Sequence, residues 1–155
     1  MVPLIVMLAA WMAFRLCGWA GLLSSADSGA GSLRLALAAM FVFTALSHFL
    51  PRSRQDLIAM VPPAFPRPDV LVRLTGILEL AGAFGLLLPG LVRTAACCLA
   101  VLLVAMFPAN VHAARKGLRI AGRPATPLAL RLPMQLFWIL ALGWVALTAS
   151  TSKGG

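Results

Sequence analysis

Five long apolar runs, separated by short polar segments, dominate the pattern of hydrophobic and polar positions along the chain. We place these runs at residues 2–23, 33–50, 70–89, 92–114 and 128–149. A helix needs about 20 mostly apolar residues to cross the roughly 30 Å hydrocarbon core of a bilayer, and each run has about that length. The pattern therefore predicts five transmembrane helices.

The amino-acid composition supports a membrane protein. The chain is 61% hydrophobic and 11% charged, whereas soluble domains average roughly 45–50% apolar and 25% charged residues. Five spans and their loops fill the 155 residues and leave no room for a separate soluble domain. We expect a single transmembrane domain over residues 1–155 with an all-α fold, a polytopic transmembrane helical bundle.

The first run lies where a secretory signal peptide would lie. However, no basic segment precedes it, it contains Arg15, and it is longer than the usual apolar region of a signal. We expect it to be retained as a helix.

The most distinctive polar segment, residues 52–69, joins a charged part to the proline-rich sequence 62–68. Prolines fix φ and remove backbone donors, so this segment cannot be one long helix. We expect a short interfacial turn or a re-entrant segment.

The net charge of +9 comes from basic residues that flank the apolar runs. Such charges orient a protein in the bilayer and contact anionic lipid headgroups, so we expect lipid and not nucleic acid as the partner. One face of a five-span bundle carries Arg52, Arg54, Arg67, Arg73, Arg115, Lys116, Arg119, Arg123 and Arg131, and the other carries Arg34, Arg93 and Lys153. The positive-inside rule then predicts a cytoplasmic N-terminus and an outside C-terminus.

Glu79 lies in the middle of the third apolar run, where an unpaired carboxylate would face hydrocarbon. A charge there costs roughly 2.5–3.5 kcal/mol or more, so a partner or a neutral carboxyl is expected. Arg15 in the first run lies at a similar depth, roughly 12 Å from the end of its helix, and Trp11 and Trp19 could shield it. The sequence predicts either an Arg15–Glu79 ion pair or a protonated Glu79.

Polar residues spaced four apart suggest a layer of polar side chains in the cytoplasmic half of the bundle. Such residues share one face of a helix, and the pairs are Thr44 with His48, Thr75 with Glu79 and Arg131 with Gln135. Asn110 and His112 near the end of the fourth run complete the layer. Four helices offering polar groups at one depth are typical of an intramembrane ligand site. They are also typical of hydrogen bonds that only hold helices together, and both interpretations stay open.

Motifs of autonomous catalysis are missing from the sequence. It has no phosphate-binding glycine loop, no nucleophile motif and no recognisable set of metal ligands, so we predict neither a catalytic residue nor a metal site. Cys17, Cys97 and Cys98 lie in apolar runs without Cys-x-x-Cys spacing, and we expect them to be packing residues.

Five short segments in order resemble the DoxX-like family of small bacterial membrane proteins. They are FTALSHF at 43–49, MVPP at 60–63, LTGILEL at 74–80 continuing to GLLLP at 85–89, FPAN at 107–110 and LRLPMQ at 130–135. The resemblance implies a four-helix core in the bacterial cytoplasmic (inner) membrane. The run 2–23 would be an extra N-terminal helix, which departs from the plain four-span pattern.

The resemblance also implies two kinds of function. Family members are linked to a quinone-coupled thiosulfate oxidoreductase, to membrane complexes that handle oxidative stress and, among distant relatives, to receptor assembly. No catalytic residue carries over, and Glu79, Asn110 and Arg131 match only as motif positions. The expected function is that of a non-catalytic subunit or assembly factor with a membrane protein partner. The alternative is a subunit that binds a quinone or another small amphipathic ligand for an oxidoreductase.

Overall fold

The computed structural model describes residues 2–120, 122–124 and 126–151, and almost all of its regular structure is helical. A 3-10 turn, Ser24–Ala26, follows the first helix, and a two-residue antiparallel ladder pairs β1 (Arg119–Ile120) with β2 (Arg123–Pro124). The six α-helices are α1 Val2–Trp19, α2 Gly29–Ser47, α3 Pro51–Met60, α4 Pro68–Leu87, α5 Val92–Arg115 and α6 Leu128–Thr151. The prediction of an all-α fold is confirmed. Lys153, used above to orient the chain, lies outside the described residues.

All the helices except α3 are long and apolar enough to cross a membrane, as the five apolar runs predicted. Their outward surfaces stay strongly apolar: Leu140 on α6 is 72% exposed and Val101 on α5 is 69% exposed. Large exposed apolar side chains on every long helix suit a surface that lipid tails cover. The fold is therefore that of a multi-pass membrane protein.

Four helices form a closed ring in which α2 packs on α4, α4 on α5, α5 on α6, and α6 again on α2. The centre of the ring is filled by large side chains that are almost fully buried, among them Leu37 and Phe41 of α2, Leu86 of α4, Leu99 of α5 and Leu142 of α6. Helix α1 lies outside this ring and packs mainly on α2 and the 3-10 turn.

Glycines bring α4 and α5 into close contact. A Cβ atom added at Gly82 would lie 2.5 Å from Leu99 Cδ2, and one added at Gly85 would lie 2.7 Å from Ala95 Cβ. Real Cβ atoms essentially never come this close. At Gly85 the neighbour is the Cβ of Ala95, which cannot turn away, so a side chain there would push the two helices apart, whereas at Gly82 the Leu99 side chain would have to move. Small residues allow such close backbone approach in membrane bundles, where dispersion contacts must hold the helices together.

Several helix boundaries differ from the predicted ones for local reasons. Helix α2 begins at Gly29 because the Ser28 side chain accepts a hydrogen bond from Gly31 N as an N-cap. The turn or re-entrant segment expected at residues 52–69 contains helix α3, which starts with Pro51 at its first position, where proline is tolerated. That helix ends at Met60 because Pro62 favours an extended Val61.

Two of the three cysteines do not pack in the core. Cys97 and Cys98 are exposed on α5, because this helix turns Ala95, Ala96 and Leu99 toward the bundle instead. The expectation of packing cysteines was wrong at these two positions, since an apolar run does not show which of its faces meets lipid.

Candidate functional site

Polar side chains of α2 and α4 form a compact network, here called the α2–α4 network, that consists of Thr44, His48, Thr75 and Glu79. Thr44 Oγ1 lies 2.9 Å from Glu79 Oε2, and His48 Nε2 lies 3.8 Å from Glu79 Oε1. Both His48 and Glu79 are buried. The four-residue spacings in the sequence correctly indicated which side chains share a face, and the ring places the two faces against each other.

The other ring nitrogen of His48 fixes its tautomer. His48 Nδ1 lies 2.7 Å from the carbonyl oxygen of Val72 and 3.2 Å from Thr75 Oγ1. A carbonyl oxygen can only accept, so Nδ1 carries a hydrogen and donates it. In the neutral ring Nε2, the nitrogen nearest Glu79, then has no hydrogen.

His48 Nε2 and Glu79 Oε1 are neighbours without a direct hydrogen bond, because 3.8 Å exceeds hydrogen-bond distance. A bare Nε2 beside a carboxylate places two acceptors near each other, and a proton on either group would turn this contact into an attractive one. Thr44 suits both arrangements, because its hydroxyl can donate to Glu79 Oε2 or to Phe41 O at 3.1 Å. The arrangement can hold a proton at a buried position between two helices.

Gly76 makes room for this network. A Cβ atom at position 76 would lie 2.6 Å from His48 Cβ, so a side chain there would push the imidazole away from α4. The contact with His48 gives this glycine a specific role in the network.

A second network joins α5 to α6 and is here called the α5–α6 network. Arg131 Nη1 donates to Asn110 Oδ1 at 2.6 Å, and Asn110 Nδ2 donates to Gln135 Oε1 at 3.4 Å. Gln135 Nε2 in turn donates to Leu103 O at 2.7 Å. Arg131 Nε donates to Thr126 O at 2.9 Å, so this guanidinium also fixes the start of α6.

Pro108 lies close to the acceptor of Gln135 but leaves a different carbonyl oxygen without its helical donor. A proline inside a helix supplies no N–H to the carbonyl four residues earlier and displaces the preceding turn. Here that carbonyl belongs to Val104, the neighbour of Leu103, and Pro108 lies inside α5. The three backbone acceptors of the networks, Val72 O, Leu103 O and Thr126 O, were missed by the sequence analysis. No side-chain pattern marks any of the three, since Pro108 affects only the neighbouring carbonyl of Val104.

The two networks lie at similar depth but on different sides of the ring. Gly82 packs against Leu99 and Gly85 against Ala95, so α4 and α5 run in opposite directions. Glu79, one turn before Gly82, therefore lies at about the level of Leu103, whose carbonyl oxygen accepts from Gln135. The predicted polar layer is thus present as two groups of contacts. The residues of the two networks bond within their own pair of helices, and His112 belongs to neither network. Whether the layer binds a ligand stays a prediction.

The predicted ion pair between Arg15 and Glu79 is not formed. Arg15 Nη1 donates to Asp27 O at 2.6 Å and to Ala26 O at 3.4 Å, and its guanidinium lies 5.1 Å from the centre of the Trp19 ring. Matching depth was a poor guide because α1 packs on α2 and not on α4. Arg15 instead holds the end of α1 to the 3-10 turn, and the expected shielding by Trp19 is confirmed.

The helical ring and its two internal polar networks place the chain among multi-pass helical membrane proteins. More specifically, it belongs to the family described as a domain of unknown function, DUF8561, whose sequence model matches residues 37–146. The matched segment contains both polar networks and most of the four-helix ring, and it leaves out α1. Neither the curated proteins nor the solved structures contain a match to this chain.

Proposed function

We propose that this chain is a DoxX-like protein of the bacterial cytoplasmic membrane that acts as a non-catalytic subunit or assembly factor of a membrane complex. The observation that supports this function is the internal use of its polar groups. His48, Glu79, Arg131 and Gln135 all bond to other side chains or backbone carbonyls of the same bundle. Such interhelical bonds stabilise a membrane scaffold.

In this proposal the N-terminus is cytoplasmic and the C-terminus is outside. The basic residues around α3 and between α5 and α6 would then contact anionic headgroups of the inner leaflet. Reporter fusions at Gly155 and within residues 115–123 should give opposite signals. Equal signals would reject the five-span orientation.

The subunit function is tested by isolating the tagged full-length chain from its native membrane in a mild detergent. Native mass spectrometry should find a stoichiometric complex that contains another membrane protein. Ile77→Glu places a charge at the 54% exposed Ile77 of α4 and should weaken this complex. Arg73→Gln, a matched change at an exposed position of the same helix, should leave it intact. A preparation that contains only this chain and lipid would contradict the proposal.

The alternative is a quinone-binding subunit, and one observation favours it. The indole Nε1 of Trp138 is buried and has no hydrogen-bond partner among the described residues, and Trp138 follows Gln135 by one turn of α6. A quinone carbonyl could accept from such a donor and Phe107 could cover the ring, while His48 and Arg131 would have to give up present bonds to Val72 O and Asn110 to donate to its carbonyl oxygens.

A soluble quinone analogue should then raise the melting temperature of the purified, lipid-extracted protein. At a hundredfold excess over Kd, binding to the native state alone adds about 2.7 kcal/mol of stability. His48→Ala and Arg131→Ala should abolish the rise, while Arg73→Ala should keep it. No shift in a preparation shown to be free of bound ligand would leave both networks as structural contacts.

A further inference from the structure

A cavity of about 290 Å³ opens at the end of the bundle opposite the α2–α4 network. The starts of α2 and α5, the end of α6 and the 3-10 turn surround it. Its polar lining consists of Ser24, Ser25, Ser28, Gly31, Arg34 and Thr148. Its volume lies at the lower end of the range of ligand pockets, which begins at roughly 300 Å³, so only a small group such as a headgroup would fit.

The electrostatics of this cavity favour an anion. Arg34 lines it, and the Nε atom of Arg34 is buried without a hydrogen-bond partner in the part of the chain that the structure describes. No acidic residue is among the lining side chains. The guanidinium of Arg34 borders the cavity as a positive charge, which favours an anionic ligand there.

Two helix N-termini add to the positive potential. Ala30 and Gly31 of the first turn of α2 line the cavity, and so does Val92, the first residue of α5. Unpaired backbone N–H groups and the helix dipole favour negative charge at such ends. Ser28 Oγ accepts from Gly31 N, so its own hydroxyl hydrogen is free to donate.

We propose that this cavity binds a phosphate group, with Arg34 as its cation and the serine hydroxyls as donors. A guanidinium and a phosphate form short, charge-assisted hydrogen bonds in a matching planar geometry. The phosphate could belong to a lipid headgroup or to a free phosphate compound, and both would present the same oxygens. The site is separate from both polar networks.

The test uses lipid-extracted full-length protein and two probes, inorganic phosphate and short-chain phosphatidylglycerol. At least one probe should raise the melting temperature. Arg34→Gln should weaken binding by about tenfold or more. Arg93→Gln is the matched control, because Arg93 is exposed in the first turn of α5 at the same end of the bundle, and it should leave the affinity unchanged.

The outcomes separate the two sources of phosphate. A response to phosphatidylglycerol alone assigns a lipid headgroup, and a response to inorganic phosphate assigns a free ligand. No response to either probe, or equal weakening in the two arginine variants, would overturn the proposal. If Arg34→Gln fails to fold by circular dichroism, the double variant Ser24→Ala/Ser25→Ala should weaken binding several-fold, and unchanged binding would count against the site.

Discussion

The junction between α2 and α4 can be tested by replacing Glu79 in two ways that separate its hydrogen bonds from its charge. Glu79→Gln keeps the shape of the side chain. Its amide oxygen can accept from Thr44, and its amide N–H can donate to His48 Nε2. The amide group can therefore keep both contacts that the carboxyl group makes. Glu79→Leu keeps neither contact.

The expected loss follows from the two contacts. The bond from Thr44 is worth about 0.6 kcal/mol on average, and at most about 1.7, between membrane helices. Leaving His48 Nε2 buried without a partner costs about 1–3 kcal/mol. Thr44 itself loses little, because Phe41 O remains as its acceptor. Glu79→Leu should therefore destabilise the protein by about 2–4 kcal/mol, and Glu79→Gln by less than about 1 kcal/mol.

The free energy of unfolding can be measured by titrating the detergent-solubilised protein with SDS and following tryptophan fluorescence. Arg73→Gln, an exposed charge change on the same helix, controls for charge alone and should leave the stability unchanged. If Glu79→Gln lowered stability as much as Glu79→Leu, the negative charge and not the hydrogen bonding would hold the junction, and the reasoning above would be refuted.

Three further outcomes are expected from the same unfolding assay. Gly85→Ala should cost about 0.5–2 kcal/mol, because the clash with Ala95 exceeds the gain in helix propensity, and Ala95→Gly should restore most of the loss; a stabilising Gly85→Ala would contradict the α4–α5 contact. Arg15→Leu and Glu79→Gln should have additive effects on the free energy of unfolding, since the two residues do not touch. A coupling energy above about 0.5 kcal/mol would instead indicate a direct Arg15–Glu79 interaction. Gln135→Leu should cost about 1–3 kcal/mol by leaving Leu103 O without its side-chain donor, and a neutral result would mean that the backbone of α5 satisfies this oxygen alone.

Hydrophobic run length was sufficient to predict the five long helices, because a span must be apolar over nearly all its length. It could not predict α3, since the prolines at 62–68 suggested an irregular segment while Pro51 in fact begins a helix. Capping by Ser28 extended α2 beyond its apolar run. These boundaries depend on single residues whose effects the overall hydropathy does not register.

For the polar residues, the sequence could predict only which side chains share a face of the same helix, not which helix that face contacts. Four-residue spacing placed Thr44 with His48 and Arg131 with Gln135, and the structure retains both pairings of faces. Which helix lies opposite which is a property of the ring, and so Arg15 was assigned to Glu79 when its true acceptors are the carbonyl oxygens of Ala26 and Asp27. Backbone acceptors carry no signal in the side-chain sequence.

The closed ring also constrains how the protein is made. Contact between α2 and α6 closes the ring, yet about 80 residues separate the end of α2 from the start of α6. At a synthesis rate of roughly 5–20 residues per second, α2 waits for roughly 4–16 s before its last neighbour leaves the ribosome. During that interval α1 and then α4 cover two of its sides, while the side that will meet α6 stays open to lipid or to a chaperone. A ribosome that stalls before Leu128 would therefore leave three of the four ring helices in the membrane without the helix that closes the ring.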